Sequence, residues 1–134
     1  MAIGLSTTVR NNRLTQIVNA LDSGASGGFR KFYDGTRPAT GGTVTNLLAT
    51  LTLSKPCGTV GAGVLTGAAI TGANATGGTN TPATWARMTD LAGVFVADVS
   101  VGTSGTDIIL AGSANMTTGQ PVSVTSWSIT EGAA

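Results

Sequence analysis

The sequence has no histidine and only one cysteine, Cys57. The absence of histidine excludes the Ser-His-Asp and Cys-His catalytic arrangements. It also excludes the commonest general base and the commonest zinc ligand. A single cysteine forms no internal disulfide, and Pro56-Cys57-Gly58 predicts a turn in which the thiol is a small apolar filler. We therefore expect no catalytic residues, no cofactor and no metal ligands, and a protein that is not an enzyme.

Charge is also scarce. Charged residues make up 10% of the 134 residues, hydrophobic residues make up 41%, and the net charge is +1; a usual charged share is about 25%. Such a surface gives poor protection against self-association, so we expect much of it to be covered in an assembly. The alternative is an ordinary all-β domain whose surface is coated with threonine. The 20 glycines argue for many tight turns and against long helices.

The few charges are unevenly distributed along the chain. Residues 1–60 carry a net +4 and residues 61–134 a net −3. This asymmetry steers partners into register only if the two halves stay apart in the fold. Interleaved halves would cancel it.

The remaining groups offer little chemistry. Asp90 and Asp98 flank a predicted hairpin, but turn aspartates usually cap their own backbone, and nothing places the two in a cleft. The stretch Gly61-Ala62-Gly63-Val64-Leu65-Thr66-Gly67 misses the dinucleotide fingerprint by one position and leads into a strand, not a helix. With so little net positive charge, nucleic-acid binding is not expected.

One helix is predicted, over residues 7–22. Leu14, Ile17, Val18 and Leu21 share one face, and Arg10 lies near the centre of that stripe, where it either snorkels to solvent or reaches a partner's carboxylate. Ser6 or Thr7 is expected to cap the start, and Gly24 to end the helix in a left-handed conformation.

The rest of the chain predicts short strands separated by turn residues. In Phe29–Tyr33, alternation places Phe29, Lys31 and Tyr33 on one face and Arg30 and Phe32 on the other. In 47–54, Leu47, Ala49, Leu51 and Leu53 share a face and Leu48 is the exception. The Gly-rich segment 72–82 has nothing large to bury and predicts an exposed, mobile loop. The other predicted strands are 64–71, 83–89, 94–101, 107–110 and 122–130, and a change of parity in the last one indicates a bulge.

This pattern predicts a mainly β fold: an antiparallel β-sandwich or jelly roll of about seven to eight strands with one N-terminal amphipathic helix. We expect a single domain, 1–134, with the helix at about 7–22 and the sandwich at about 28–131. A barrel is the runner-up. The opening MAIGLSTTVR predicts neither a signal peptide nor a membrane span, which fits assembly in a bacterial cytoplasm.

Four segments carry a resemblance to a known family. MAIGLSTTVRNNRLTQIVNALDSG, FYDGTRPATGG, ATWARMTD and VGTSGTDI, in this order, resemble small proteins encoded in the structural modules of tailed bacteriophages and prophages. The resemblance covers nearly the whole chain, and residues 33–42 are its most specific part. The chain departs from it in a longer, glycine-richer segment at 71–82.

The resemblance implies a jelly-roll capsid cement or decoration protein. Such a protein dimerises on the outside of the phage head and bridges major capsid subunits, without catalysis or a cofactor. Its partners would be the major capsid protein and a second copy of itself. It would be located in the virion and would not contact a membrane. The alternatives are a tail or head–tail connector protein and, in another class, a carbohydrate-binding β-domain that uses Trp85, Trp127 or Tyr33. Arginines and aromatics dominate interface energies, so the candidate interface residues are Arg10, Arg13, Phe29, Arg30, Lys31, Tyr33 and Arg37.

Overall fold

A computed structural model describes residues 3–131 of the chain. The described part contains one helix, α1 (Thr7–Leu21), and twelve strands. The strands are β1 (Phe29–Tyr33), β2 (Leu47–Thr52), β3 (Gly58–Gly61), β4 (Val64–Gly67), β5 (Ala73–Asn74), β6 (Thr81–Pro82), β7 (Trp85–Thr89), β8 (Phe95–Gly102), β9 (Ile108–Leu110), β10 (Asn115–Met116), β11 (Pro121–Val122) and β12 (Val124–Thr130).

Eight strands form one curled sheet, in the order β2-β1-β7-β8-β9-β12-β4-β3, and the curl makes it a half-barrel. Two small two-stranded sheets, β10-β6 and β11-β5, complete the β structure of residues 3–131. The predicted mainly β fold with one N-terminal helix is confirmed. The sheet is mixed rather than purely antiparallel, because β8 and β9 pair in parallel.

The helix begins and ends through local hydrogen bonds. The Ser6 side chain caps it by accepting from the Val9 N–H at 3.2 Å, as predicted. The helix ends at Leu21, and the N–H of Asp22 still bonds to the Val18 carbonyl. Gly24 does not adopt the left-handed conformation we expected. It is instead a close-packing position, since a Cβ there would lie 2.6 Å from the Leu91 Cβ.

The core lies on the concave face of the sheet, where the apolar face of α1 packs. Leu14 and Leu21 of the helix are fully buried, and Ile17 and Val18 are partly buried against the same cluster. The strands contribute buried side chains to this core, among them Phe32, Leu51, Leu65, Met88, Val99, Ile108, Leu110 and Trp127. Cys57 is also fully buried, as its expected role as an apolar filler requires.

A bulge in β2 changes which leucine faces the core. Phe32 pairs with Ala49 but Tyr33 pairs with Leu47, so Leu48 is an extra residue in the ladder. Such an extra residue locally reverses the alternation. As a result Leu48 is buried and Leu47 is 41% exposed, so the inward placement that alternation predicted for Leu47 is wrong. A second bulge, between Val124 and Ser126, confirms the predicted parity change near the end of the chain.

The Gly-rich segment 72–82 is largely exposed, as its composition predicted, but it is not an irregular loop. It contains β5 and β6, which pair with β11 and β10. The N–H groups of Thr76 and Gly77 both bond to the Leu48 carbonyl. A Cβ on Gly77 would lie 2.3 Å from the Leu47 carbonyl oxygen, so the missing side chain is what allows the segment to approach β2 so closely.

Candidate interaction surface

The convex face of β2, β1, β7 and β8, which we call the outer face, carries three rows of side chains that run across the strands. The cross-strand register sets these rows, because neighbours in register point to the same side of a sheet. The first row is Phe29, Thr89 and Phe95. The second row is Lys31, Arg87 and Asp98, and the third is Tyr33, Trp85 and Ser100.

The third row lies beneath the segment that joins β1 to β2. The rings of Tyr33 and Trp85 stack with their centroids 4.6 Å apart. The Trp85 indole N–H lies 3.1 Å from both the Asp34 carbonyl and the Thr45 hydroxyl. Tyr33 is 5% exposed and Trp85 is 1% exposed, so Tyr33, one of the candidate interface residues, is part of the packing under this segment. Burial raises the pKa of Tyr33, an effect that the nearby Arg87 opposes.

Asp34 organises the start of this covering segment. Its carboxylate accepts from the backbone N–H of Asn46 at 3.0 Å and from the Asn46 side-chain amide at 3.1 Å. These hydrogen bonds lower the pKa of Asp34, because they stabilise the ionised form. Gly35 follows in a bend with a φ of 69°, a conformation that glycine adopts without strain.

Arg87 and Asp98 form a two-pronged ion pair in the middle row. The distances are 2.8 Å from Nε to Oδ1 and 3.0 Å from Nη2 to Oδ2. The side chains are only 13% and 5% exposed, and the pair raises the pKa of Arg87. The guanidinium carbon also lies 5.4 Å from the Trp85 ring centroid and 5.1 Å from that of Phe95. The charge of Asp98 is therefore neutralised within the molecule.

A groove of about 370 Å³ opens beside this ion pair. One wall is formed by residues 37–40 and the other by residues 95–98 of β8; we call it the β8 groove. The Gly41 N–H bonds to the Asp98 carboxylate at 3.4 Å, and Arg37 Nη1 reaches the Asp98 carbonyl, also at 3.4 Å. The groove thus combines apolar side chains with one exposed arginine.

Three of the candidate interface residues lie on or beside the outer face and are accessible. Phe29 and Lys31 are partly exposed, and Arg37 is exposed at the groove. Among residues 3–131, no carboxylate lies within 4 Å of the Lys31 ammonium or the Arg37 guanidinium. Both cations are therefore free to pair with a partner's carboxylates.

Arg30 is not an interface residue, because it is fully buried on the concave face. Alternation correctly grouped it with Phe32, and this is the face that the core covers. Its guanidinium carbon lies 4.3 Å from the Trp127 ring centroid, and Nη2 lies 3.3 Å from the Met88 sulfur. Nε and Nη1 have no hydrogen-bond partner in the described part of the chain. Burial lowers the pKa of Arg30 to about 9.

Arg10 and Arg13 lie elsewhere, where α1 meets the β3–β4 hairpin. The Arg10 guanidinium occupies the space beside Gly63, because a Cβ added to Gly63 would lie 2.3 Å from Arg10 Nη1. Arg13 forms an ion pair with Glu131 at 2.7 Å. The β4 and β3 strands are separated from β8 by β9 and β12, so these arginines do not join Lys31 and Arg37 in one site. The Arg13–Glu131 pair also shows that the basic and acidic halves of the sequence interleave.

The other candidate chemistry has local structural roles. The Asp90 carboxylate accepts from the Val94 N–H at 2.9 Å, the turn-capping role predicted for it. Residues 61–67 form the turn and the second strand of the β3–β4 hairpin, with Ala62 and Gly63 at positive φ in the turn. Trp85 and Trp127, the proposed sugar-stacking residues, are 1% and 3% exposed. Among residues 3–131, no cluster of three or more cysteine, aspartate or glutamate side chains is placed to hold a metal ion.

Sequence reasoning missed the contributions of Arg87, Asp98 and Phe95 to this surface. The signal was present in the hairpin prediction, because two strands joined by a turn at 90–93 bring Arg87 opposite Asp98.

No helix in the described range 3–131 is long and apolar enough to cross a membrane. No protein-family model, curated protein or solved structure matches this chain.

Proposed function

We propose that this chain is a non-enzymatic structural protein of a tailed-phage virion, and specifically a capsid cement protein that bridges major capsid subunits. The observation that carries the proposal is the meeting of two motif segments on the outer face. Residues 33–42 and 83–90, which carry the resemblance, touch through the Tyr33–Trp85 stack and the Trp85–Asp34 hydrogen bond.

A surface built in this way suits adhesion. Stacking, indole hydrogen bonds and the buried Arg87–Asp98 pair hold the outer face in place before any partner arrives. A preorganised surface loses little conformational entropy on binding, so more of its contact energy contributes to affinity. The low charge content supports the same role, because the centres of protein interfaces are depleted of charged residues.

Dimerisation would complete the mechanism. One copy with a modest contact area binds weakly, but two linked copies bind neighbouring capsid subunits with an affinity increased through effective concentration. A cement dimer requires an isologous interface, whereas a connector ring requires a heterologous one. Light scattering of the purified chain distinguishes them: we expect the mass of a dimer, and a ring of six or more copies would contradict the cement role.

The decisive experiment is a cryo-electron-microscopy map of virions from the phage that encodes the chain. We expect density for the half-barrel on the outside of the head, contacting at least two capsid subunits, with the outer face in the contact. Density only in the tail or at the head–tail junction would overturn the cement role and favour the connector alternative. Absence of the chain from purified virions would overturn the virion role itself.

A further inference from the structure

We propose that the edge of β8 at residues 96–98 binds an extended, acidic segment of a partner protein, which adds to the sheet as a short strand in the β8 groove. Strand addition of this kind takes its affinity from main-chain hydrogen bonds and its specificity from the adjacent side chains. The binding property belongs to this edge whether or not the partner is a capsid subunit. A measurement of peptide binding in solution therefore tests this proposal, whereas the location of the chain in a virion tests the proposed function.

The first half of β8 lacks a strand on the side away from β7. β9 pairs in parallel only with Val101 and Gly102, so within residues 3–131 no strand is paired to residues 95–100 on that side. A sheet edge of this kind presents main-chain donors and acceptors to whatever lies beside it.

The register shows which main-chain groups point outward. The Val101 N–H donates to the Thr84 carbonyl at 3.2 Å, and bonded pairs alternate along an antiparallel ladder. Val99 and Ala97 therefore bond to β7, while Ser100 and Asp98 point away from it. The Ser100 N–H donates to Asp107 Oδ2 at 3.0 Å, and the Asp98 carbonyl accepts from Arg37, which agrees with this alternation.

A bulge extends the free edge by one residue. Ala97 pairs with Met88 but Phe95 pairs with Thr89, so Val96 is an extra residue opposite β7. The main chain of a bulged residue is left out of the ladder. Val96 and Asp98 therefore both have main-chain groups available to the β8 groove, which residues 95–98 line.

The charges at the groove select an acidic occupant. Arg37 is exposed, and its 3.4 Å bond to the Asp98 carbonyl is at the long limit for a hydrogen bond. A carboxylate that meets the guanidinium in the two-pronged geometry would form a stronger bond. Asp98 does not repel such a group, because Arg87 already neutralises it at 2.8 Å. Nucleic acid is the poorer fit, because it needs several phosphate-binding cations.

The test uses a random twelve-residue peptide library, displayed on ribosomes and selected on the immobilised whole chain. We expect enriched peptides that alternate apolar and polar residues and carry at least one aspartate or glutamate. Their binding is then measured by fluorescence anisotropy, and the affected amides are mapped by ¹⁵N NMR and hydrogen exchange. We expect the amides of Val96 and Asp98 to shift and to gain protection from exchange.

Two matched variants test the role of the arginine. Arg37→Glu and Lys55→Glu each reverse one exposed cation, but only Arg37 lines the groove. We expect Arg37→Glu to weaken binding about tenfold or more, the loss that follows from removing a charge-assisted hydrogen bond. Lys55→Glu should bind like the wild type. Thermal melts confirm that both variants are folded.

Four results would overturn the proposal. These are failure of the library to enrich any peptide, equal binding to Arg37→Glu, amide shifts located away from residues 95–98, and tighter binding of a single-stranded oligonucleotide than of the selected peptides. Concentration-dependent shifts at Asp98 without peptide would instead identify a second copy of this chain as the occupant, and would also contradict a separate acidic partner.

Discussion

The guanidinium of Arg30 lies over the ring of Trp127, 4.3 Å from its centroid, and both side chains are enclosed in the core. The ring face supplies part of the electrostatic stabilisation that a carboxylate would normally give a buried cation. It leaves the Nε and Nη1 donors unsatisfied. The charge is therefore retained at a cost in stability.

We expect Arg30→Met to stabilise the protein. Methionine keeps most of the side-chain length and removes the desolvation penalty, and exchanging buried charged groups for apolar ones of similar volume has gained about 1–4 kcal/mol elsewhere. Chemical denaturation at pH 7 measures the difference. Arg30→Ala is the control, since it also removes the charge but leaves a cavity. A methionine variant less stable than the wild type would show that the contacts with Trp127 and Met88 outweigh the desolvation cost.

The Arg87–Asp98 pair is expected to contribute measurably to stability, because its side chains are only 13% and 5% exposed. Arg87→Met and Asp98→Asn each leave one partner without its counter-charge, and we expect each to cost about 1–3 kcal/mol. Denaturation of both single variants and the double variant gives the coupling, expected at about 1 kcal/mol or more. The Arg13–Glu131 pair, whose side chains are 58% and 20% exposed, serves as the more exposed control and should show less coupling. Equal coupling in the two pairs would mean that burial does not strengthen the inner one.

Gly67 is expected to be intolerant of any side chain. A Cβ there would lie 2.0 Å from ring atoms of Trp127, which is itself 3% exposed and cannot move without disturbing the core. We expect Gly67→Ala to cost about 1–3 kcal/mol, the usual range for overpacking. Gly61→Ala is the matched control in the same hairpin, with nothing within 4 Å of the added methyl. Equal melting temperatures for the two variants would contradict the close contact with Trp127.

Cys57 is expected to resist alkylation while the protein is folded. The side chain is fully buried, and desolvation is the largest cause that raises its pKa to about 11, with the nearby Asp22 adding to it. Only the thiolate reacts, so raising the pH from 7 to 9 increases the reactive fraction but leaves the thiol mainly protonated. The measurement is the rate of iodoacetamide labelling, followed by mass spectrometry. Labelling of the native protein as fast as of the urea-unfolded chain would show that the site is open.

The parts of the fold predicted best from sequence were those set by local patterns. The limits of α1 and β1 follow from the Ser6 cap and the apolar periodicity, and the β7–β8 hairpin follows from its turn residues. The parts predicted worst depend on register. A single extra residue at Leu48 reverses the orientation of Leu47; Leu48 breaks the alternation in the sequence, but the alternation alone does not show that the ladder shifts there.

The candidate surface was only partly predictable for a related reason. Alternation separates Arg30 from Lys31 but does not say which of the two faces the core. The decision depends on what packs above each face. The helix α1 and the core cover the face that carries Arg30, and the segment after Tyr33 covers part of the face that carries Lys31. Both contacts join residues that are far apart in the sequence.

The pairing of β4 with β12 has a consequence for synthesis. Val64 lies opposite Thr130, and contacts between residues so far apart in sequence form slowly, because the intervening chain must first be ordered. The half-barrel cannot close until residue 130 has left the ribosome. Until then the edge of β4 that faces β12 has no strand beside it and Trp127 is not covered by the core, and such exposed apolar surface is prone to aggregate. We therefore expect the pairing of β4 with β12 to be a late and slow step of folding, and the concentration of unfolded chains to decide how much of the protein aggregates before that step.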